Sequence, residues 1–324
     1  MHNVEAMDRA MTLAASVRAT TTPNPWVGCV LEATDGTTFE GATSPPGGPH
    51  AEAVALAAAG DAARGATVWT TLEPCSHHGR TPPCADAMVD AGVARVVVAI
   101  EDPDVKVAGQ GIERLRAAGI DVEVGVRGHE VREQLAPYLK HRTTGRPWVV
   151  LKLAASLDGR TAAPDGTSQW ITGHEARVDA HRLRAESDAV LVGAGTIRVD
   201  DPALDVRHIE GRNPLRVVLG RAPEGAKAHP CLELTGDLGG VLDELGSRDV
   251  VQVLVEGGAT VAGTFHRSGL VDRYVIYIAP ILFGGDDGRG VFTGAGAPSI
   301  DDVWRGRIVS VTQVGPDLRV EVAA

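Results

Sequence analysis

Apolar residues recur at Met7, Ala10, Met11, Ala14 and Val17, a helical spacing that gathers them on one face and predicts a packing helix over 5–17. The pattern then shortens to strand period. Residues 27–33, the turn Asp35-Gly36 and residues 37–40 predict a β-hairpin. A Pro/Gly loop over 44–49 delivers the chain to an alanine-rich helix that opens at His50 and stops at Gly60, a natural helix C-terminus. Beyond it the pattern predicts a buried strand over 66–71, a helix from Pro83 to Ala91 capped by Gly92, and a strand over 95–100. A turn at Asp102-Pro103, a helix to Ala118 capped by Gly119 and a strand over 122–126 complete an alternating strand and helix layer. One charged helix is expected between Arg127 and Pro147, and the composition shift at its end divides the chain into domains 1–146 and 147–324.

The second half restarts with an apolar strand over 148–153, interrupted by Lys152, and a tight turn at Ser156-Leu157-Asp158-Gly159-Arg160. A lysine within a strand can point to solvent; in a central strand it must face a cleft or a phosphate. A helix over 174–184 and a short buried strand over 189–192 follow. The next residues, Gly193-Ala194-Gly195-Thr196, resemble a nucleotide loop, but Arg198 stands where the dinucleotide fingerprint needs its last glycine, so no Rossmann unit is expected. A strand over 251–255, the turn Glu256-Gly257-Gly258 and a helix over 259–267 form either an ordinary tight connection or a phosphate cradle of backbone N–H groups. Strands over 274–280, 308–314 and 318–322 end the chain, and no internal repeat is present.

With 324 residues there is room for two cores, and a net charge of −11 implies no broad basic surface, which disfavours nucleic acid as a partner. No apolar run is long enough to span a bilayer and the amphipathic N-terminus is unlike a signal peptide, so a cytoplasmic protein without membrane partners is expected. Four cysteines make no disulfide framework. Cys29, in a strand-like run, and Cys231, in a loop, read as plain thiols.

The other two cysteines change the picture. His50-Ala51-Glu52 heads one helix, and Pro74-Cys75 is separated by a Pro/Gly-rich loop from Pro83-Cys84 at the head of another. An imidazole and two thiolates suit zinc, leaving a fourth position for water, and Glu52 is placed to move protons without ligating. Each residue alone reads as a core histidine or buried thiol; together they carry the signature of zinc deaminases that act on nucleobase-like rings. The spacing between the cysteines is longer than the usual Pro-Cys-x-x-Cys. His77 and His78 are possible substitute ligands, though adjacent loop histidines are commonly just polar. Asn24, between Pro23 and Pro25, reads as a turn former or as an amide that reads a pyrimidine edge.

Taken together, the chain resembles the bifunctional riboflavin-biosynthesis deaminase-reductases nearly end to end. The likeness rests on Thr22-Pro23-Asn24-Pro25, Pro49-His50-Ala51-Glu52 and Thr71 to Cys84 in the first half. In the second it rests on Leu151 to Gly159, Ser168-Gln169-Trp170-Ile171, Asp200-Asp201-Pro202-Ala203-Leu204 and Val255-Glu256-Gly257-Gly258. The resemblance implies an α/β protein: a cytidine-deaminase-like three-layer domain followed by a dihydrofolate-reductase-like domain. It implies one zinc held by His50, Cys75 and Cys84, with Glu52 as proton shuttle and Asn24 and Arg80 at the pyrimidine substrate. For the reductase half it implies NADPH at Ala154, Trp170, Thr196, Asp200, Gly258, Ala259 and Thr260, and a sugar phosphate substrate at Ser168, Arg184, Leu204, Arg207 and Glu256. Lys152 and Asp200 are expected nearest hydride transfer, the arginines on the phosphate.

The partners implied are phosphoribosylaminopyrimidines, and a homo-oligomer, dimer or tetramer, is expected. Two departures stand out: Thr43 replaces a histidine common in relatives shortly before His-Ala-Glu, and the short stretch between Arg207 and Val251 predicts a trimmed sheet edge. Two other readings compete, a zinc deaminase with a non-catalytic second half and a binding module with structural zinc. The last would need a fourth protein ligand and leave Glu52 without a task.

Overall fold

The computed structural model describes residues 1–76, 82–104 and 107–324, which form two units, Met1–Gly145 and Arg146–Ala324. In the first unit β1 (Gly28–Glu32) pairs antiparallel with β2 (Thr38–Ala42) and with β3 (Thr67–Leu72). Strand β3 runs parallel to β4 (Arg95–Ile100), and β4 parallel to β5 (Asp121–Val124), so the order is β2-β1-β3-β4-β5. Directly opposed residues of an antiparallel pair share a face. Register sets Gly28 opposite Ala42 and Cys29 opposite Gly41, so the two glycines lie on opposite faces. A Cβ on Gly28 would collide with the Ala10 carbonyl of α1 (Asn3–Val17); one on Gly41 would collide with the Ala51 carbonyl of α2 (Ala51–Ala59). Helices therefore cover both faces at close approach, and the unit has the three layers expected of a deaminase-like domain.

Helix α2 passes into a 3₁₀ turn, Gly60–Ala63, so Gly60 redirects the chain without ending its helical course. Helix α3 (Cys84–Ala91) ends on Gly92, whose φ of 73° is the left-handed cap the sequence called for, and α4 (Gln110–Ala117) packs beside it. The single charged helix expected between Arg127 and Pro147 is in fact two, α5 (Gly128–Gln134) and α6 (Ala136–Thr144). Pro137 is the cause. It has no N–H to continue α5, and it is tolerated in the first turn of α6.

In the second unit β6 (Trp148–Ser156) is longer than expected and lies inside the sheet. The elements that follow are β7 (Arg160–Ala162), α7 (His174–Ala185), β8 (Ala189–Gly193), α8 (Ala194–Asp200), β9 (Leu215–Leu219), β10 (Leu232–Leu234) and α9 (Leu238–Ser247). They continue with β11 (Gln252–Val255), α10 (Ala259–Arg267), β12 (Arg273–Ala279), β13 (Arg289–Gly290), β14 (Arg307–Val314) and β15 (Asp317–Ala323). The large sheet runs β10-β9-β8-β11-β6-β12-β15-β14, with all pairs parallel up to β12 and the final hairpin antiparallel at the edge. The unit is thus α/β and of the dihydrofolate-reductase-like class. The three-residue β10 makes the far edge short, as the sparse chain between Arg207 and Val251 predicts. What reads as a nucleotide-like loop at Ala194 is the first turn of α8.

Alternation along β6 sorts its residues. Val149, Leu151 and Leu153 enter the core built with Leu242, Leu245 and Phe265 of α9 and α10. Val150 and Ala154 pack on the other side with Leu183 of α7, Leu254 and Tyr277. Period two places Lys152 on that second face, and Glu256, two residues beyond Leu254, shares it.

Candidate active sites

His50 has extended backbone (φ −74°, ψ 164°) and forms the N-cap of α2, which sets its ring ahead of the helix while Glu52 sits in the first turn. Cys75 leaves the carboxyl end of β3 and Cys84 opens α3. Both helix N-termini and the strand end converge, as ligand sites of parallel sheets do. His50 Nδ1 lies 3.6 Å from Cys75 Sγ and 3.4 Å from Cys84 Sγ, and the three donor atoms all lie within 4.8 Å of one another. Tetrahedral zinc with ordinary Zn–S and Zn–N lengths requires N···S edges of about 3.6 Å, so this donor set fits the ion.

The Cys84 N–H donates to Cys75 Sγ at 3.4 Å. The hydrogen bond between the thiols pulls the Cys75 pKa down and pushes that of Cys84 up. Glu52 is 3 % exposed, and burial, reinforced by the nearby Cys75, raises its carboxyl to about 7. A buried acid poised there can both accept and return a proton.

In the second unit a cleft of about 220 Å³ is lined by Lys152, Ala154, Ser168, Thr196, Asp200, Glu256, Gly258 and Ala259, all singled out in the sequence. Lys152 Nζ is 3.9 Å from Glu256 Oε2 and 5.9 Å from the Tyr277 ring centre. Burial lowers the lysine's pKa against the pull of Glu256. Burial also works against the Glu256 carboxylate, but Arg184 and Lys152 outweigh it and hold this acid at about 2. Central placement in the sheet thus settles the two options for Lys152 in favour of the cleft.

Two family models divide the chain. The model of the cytidine and deoxycytidylate deaminase zinc-binding region matches residues 2–100, and that of the RibD C-terminal domain matches residues 147–320. The chain is 43% identical to riboflavin biosynthesis protein RibD of Mycobacterium tuberculosis, over 100% of this chain and 99% of the relative. The chain belongs to the RibD family. RibD of Escherichia coli is 41% identical, with 96% of each chain covered. A solved structure of Acinetobacter baumannii RibD superposes with a TM-score of 0.93 at 39% identity, covering 99% of this chain and 98% of that one.

Not every residue that the RibD resemblance assigns reaches a cleft. Both edges of the Arg184 fork are taken: Nε and Nη2 donate to Glu256 at 2.6 and 3.0 Å, and Nη1 donates to the Asp205 carbonyl at 3.0 Å. That guanidinium is not presented to phosphate; it holds Glu256. The Leu204 side chain is 2 % exposed in a core with Val190 and Ile197, because its φ of 53° turns it inward, so only its backbone remains for a substrate. Arg207 is exposed, with Nη1 3.0 Å from Asp205 Oδ1. Trp170 is 66 % exposed with Arg177 stacked 4.5 Å over its ring and does not line the cleft. Thr260 lines a neighbouring cavity of about 670 Å³ beside Leu219, Leu234, Leu238 and Phe265. Asn24 is half-buried in a turn closed by its own N–H on the Thr21 carbonyl. Arg80, His77 and His78 lie outside the described residues.

Thr43 has a structural task. Its Oγ1 accepts from the Val27 N–H at 3.0 Å, pinning the end of β2 to the start of β1 in a buried setting.

Sequence reasoning passed over Glu73. Its carboxylate accepts four backbone N–H groups, from Asp102, Gly109, Gly111 and Ile112, and so ties the residue two before Cys75 to the N-terminus of α4. An acidic residue at a strand end beside Pro-Cys is the one signal that pointed there. Helix α9 was legible too, since Asp237 caps a run with Leu238, Val241, Leu242 and Leu245 at helical spacing.

Proposed function

We propose that this chain is a two-site enzyme of riboflavin biosynthesis, in which the first unit deaminates a diaminohydroxyphosphoribosylaminopyrimidine and the second reduces the resulting 5-amino-6-(5-phosphoribosylamino)uracil, the two activities named for the Thermotoga maritima relative. The observation that carries this reading is the convergence of His50, Cys75 and Cys84 beside the buried Glu52. His50, Cys75 and Cys84 would hold zinc, which lowers the pKa of a bound water toward neutrality and leaves it an open position. Glu52 takes the water proton, passes one to the ring nitrogen, and delivers one to departing ammonia. The helix N-termini at His50 and Cys84 favour negative charge on the oxygen that attacks the amine-bearing ring carbon.

In the second unit the chemistry that NADPH would supply is hydride donation to the opened ribosyl imine. The residues of the chain bind and orient around it: Ala154, Thr196, Asp200 and the backbone N–H groups from Gly258 onward line the cofactor side, with Thr260 and Trp170 beyond the cleft. Ser168, Glu256, the Leu204 backbone and Arg207 serve the sugar phosphate, and Arg184 positions Glu256. Lys152, with its pKa drawn down by burial, protonates the imine nitrogen as reduction proceeds. Asn24 would contact the pyrimidine in the first unit, and Arg80, outside the described residues, is assigned to it by the family resemblance. Exposed Ile308 and Val311 on the edge strand β14 support self-association of the chain. No helix among the described residues is long and apolar enough to cross a membrane, and a cytoplasmic location belongs to the same reading.

Mass spectrometry of products formed by zinc-loaded protein, with and without NADPH, tests both sites at once. Ring deamination without NADPH and sugar reduction only with it are expected. Deamination with no reduction would replace this reading by the deaminase whose second half is non-catalytic, and no conversion by folded, loaded protein would overturn it.

A further inference from the structure

A second group of metal-type donors lies far along the chain from His50, at the short edge strand β10. His229, Cys231 and Glu233 are brought together where the chain turns through the cis His229–Pro230 bond into β10, while Leu232 and Leu234 turn toward the core. Their donor atoms lie within 4.8 Å of one another, and His229 Nδ1 is 3.6 Å from Cys231 Sγ. That separation matches the tetrahedral N···S edge of about 3.6 Å. It is also the distance between His50 and Cys75.

The surroundings prepare these donors. His229 Nε2 lies 3.1 Å from the Pro223 carbonyl, an acceptor only, so Nε2 carries the proton and Nδ1 keeps its lone pair toward the sulfur. Metal-binding histidines are oriented in this way by a carbonyl on the far ring nitrogen. Glu233 uses Oε1 to accept the Ala222 N–H at 2.8 Å, which fixes the carboxylate while its second oxygen remains a donor to a cation. Arg216 donates to the His229 carbonyl at 3.2 Å, leaving the imidazole uninvolved.

We propose that His229, Cys231 and Glu233 form a second zinc site, one that clamps the connection between β9 and β10. Neutral imidazole, thiolate and carboxylate together balance the charge of a divalent ion, and the mixture of nitrogen and sulfur donors selects zinc over magnesium or calcium. On binding, the Cys231 S–H bond breaks, its proton passes to solvent, and a zinc–sulfur bond forms without any redox change. The clamp closes a segment that already reaches the reductase cleft. The Lys227 N–H donates to Asp201 Oδ1 at 2.8 Å, and Asp201 follows Asp200 of the cleft wall.

The test is zinc content per chain, by plasma mass spectrometry, of the full-length protein equilibrated with free Zn²⁺. Two ions per chain are expected, falling to one in Cys231→Ser and in His229→Ala with deamination unchanged. Glu233→Gln keeps an acceptor for the Ala222 N–H, so the turn survives, and it should weaken the second ion by about tenfold or more. Cobalt in place of zinc gives an independent reading, because thiolate-to-cobalt absorption should fall by about one third when one of three thiolates is removed. A single zinc per chain at saturation, or a second zinc and full cobalt absorption retained by Cys231→Ser, would overturn the proposal.

Discussion

Glu52 and Lys152 are each proposed to carry one protonic task, in separate units, which makes them the most informative single residues. Glu52→Gln preserves size and a hydrogen-bonding tip but cannot cycle a proton. It should lose about a hundredfold or more of the deamination rate with zinc still bound, as rate assays and metal analysis on one preparation would reveal. Full deaminase activity in that variant would remove Glu52 from the proton path. Lys152→Ala should cut reduction by about a hundredfold or more and leave deamination intact; equal loss of both would mean the lysine matters for folding. Thr43 illustrates the opposite kind of residue. The family resemblance suggests a missing substrate contact at this position, but in the structure the Thr43 hydroxyl bridges the Val27 backbone and so has a hydrogen-bonding task in the hairpin.

Between elements, the close approaches matter most. Gly111 in α4 lies against the Pro74 carbonyl, and a Cβ there would collide with it, one residue before Cys75. Gly111→Ala should therefore displace the ligand loop and lower zinc retention against a chelator, while the second unit melts unchanged; retained zinc would show that the loop gives way at no cost to the site. The cluster of Lys152 on β6, Arg184 on α7 and Glu256 after β11 joins three elements through charge. Folding lowers the Glu256 pKa to about 2. Its contribution is thus full above the ordinary carboxyl range and is lost as the pH falls toward about 2. Glu256→Gln should cost about 3–5 kcal/mol near neutrality, because two cations lose their buried partner, and the gap from wild type should narrow on acidification. Thermal melts from neutral to acid pH would show that convergence, and parallel curves would exclude it.

At the scale of the whole molecule, two cores with separate ligands predict two separately tunable unfolding transitions. Loss of the first unit's zinc through Cys75→Ala should lower the transition of Met1–Gly145 alone. NADPH at a hundredfold its dissociation constant should stabilise Arg146–Ala324 by about 2.7 kcal/mol without moving the other. Differential scanning calorimetry distinguishes this from one transition that responds to both ligands. The acidic charge of −11 fits small phosphorylated substrates handled at local cationic points and gives no support to a nucleic-acid surface.

Much of this was legible in the chain itself. Hydrophobic period and glycine caps mark β4 and α3 closely, and His-x-Glu with two Pro-Cys steps names a zinc chemistry before any coordinates, since those side chains together have few other uses. The sequence also bears the family likeness across both halves. Tertiary structure decided what depends on neighbours far apart in the chain. Lys152 faces a cleft because β6 lies between β11 and β12. The Arg184 fork is closed by Glu256, Leu204 is turned into the core, and Glu73 gathers backbone donors that no local pattern announces. Periodicity tells which face a residue takes, but only packing of distant segments tells what waits on that face.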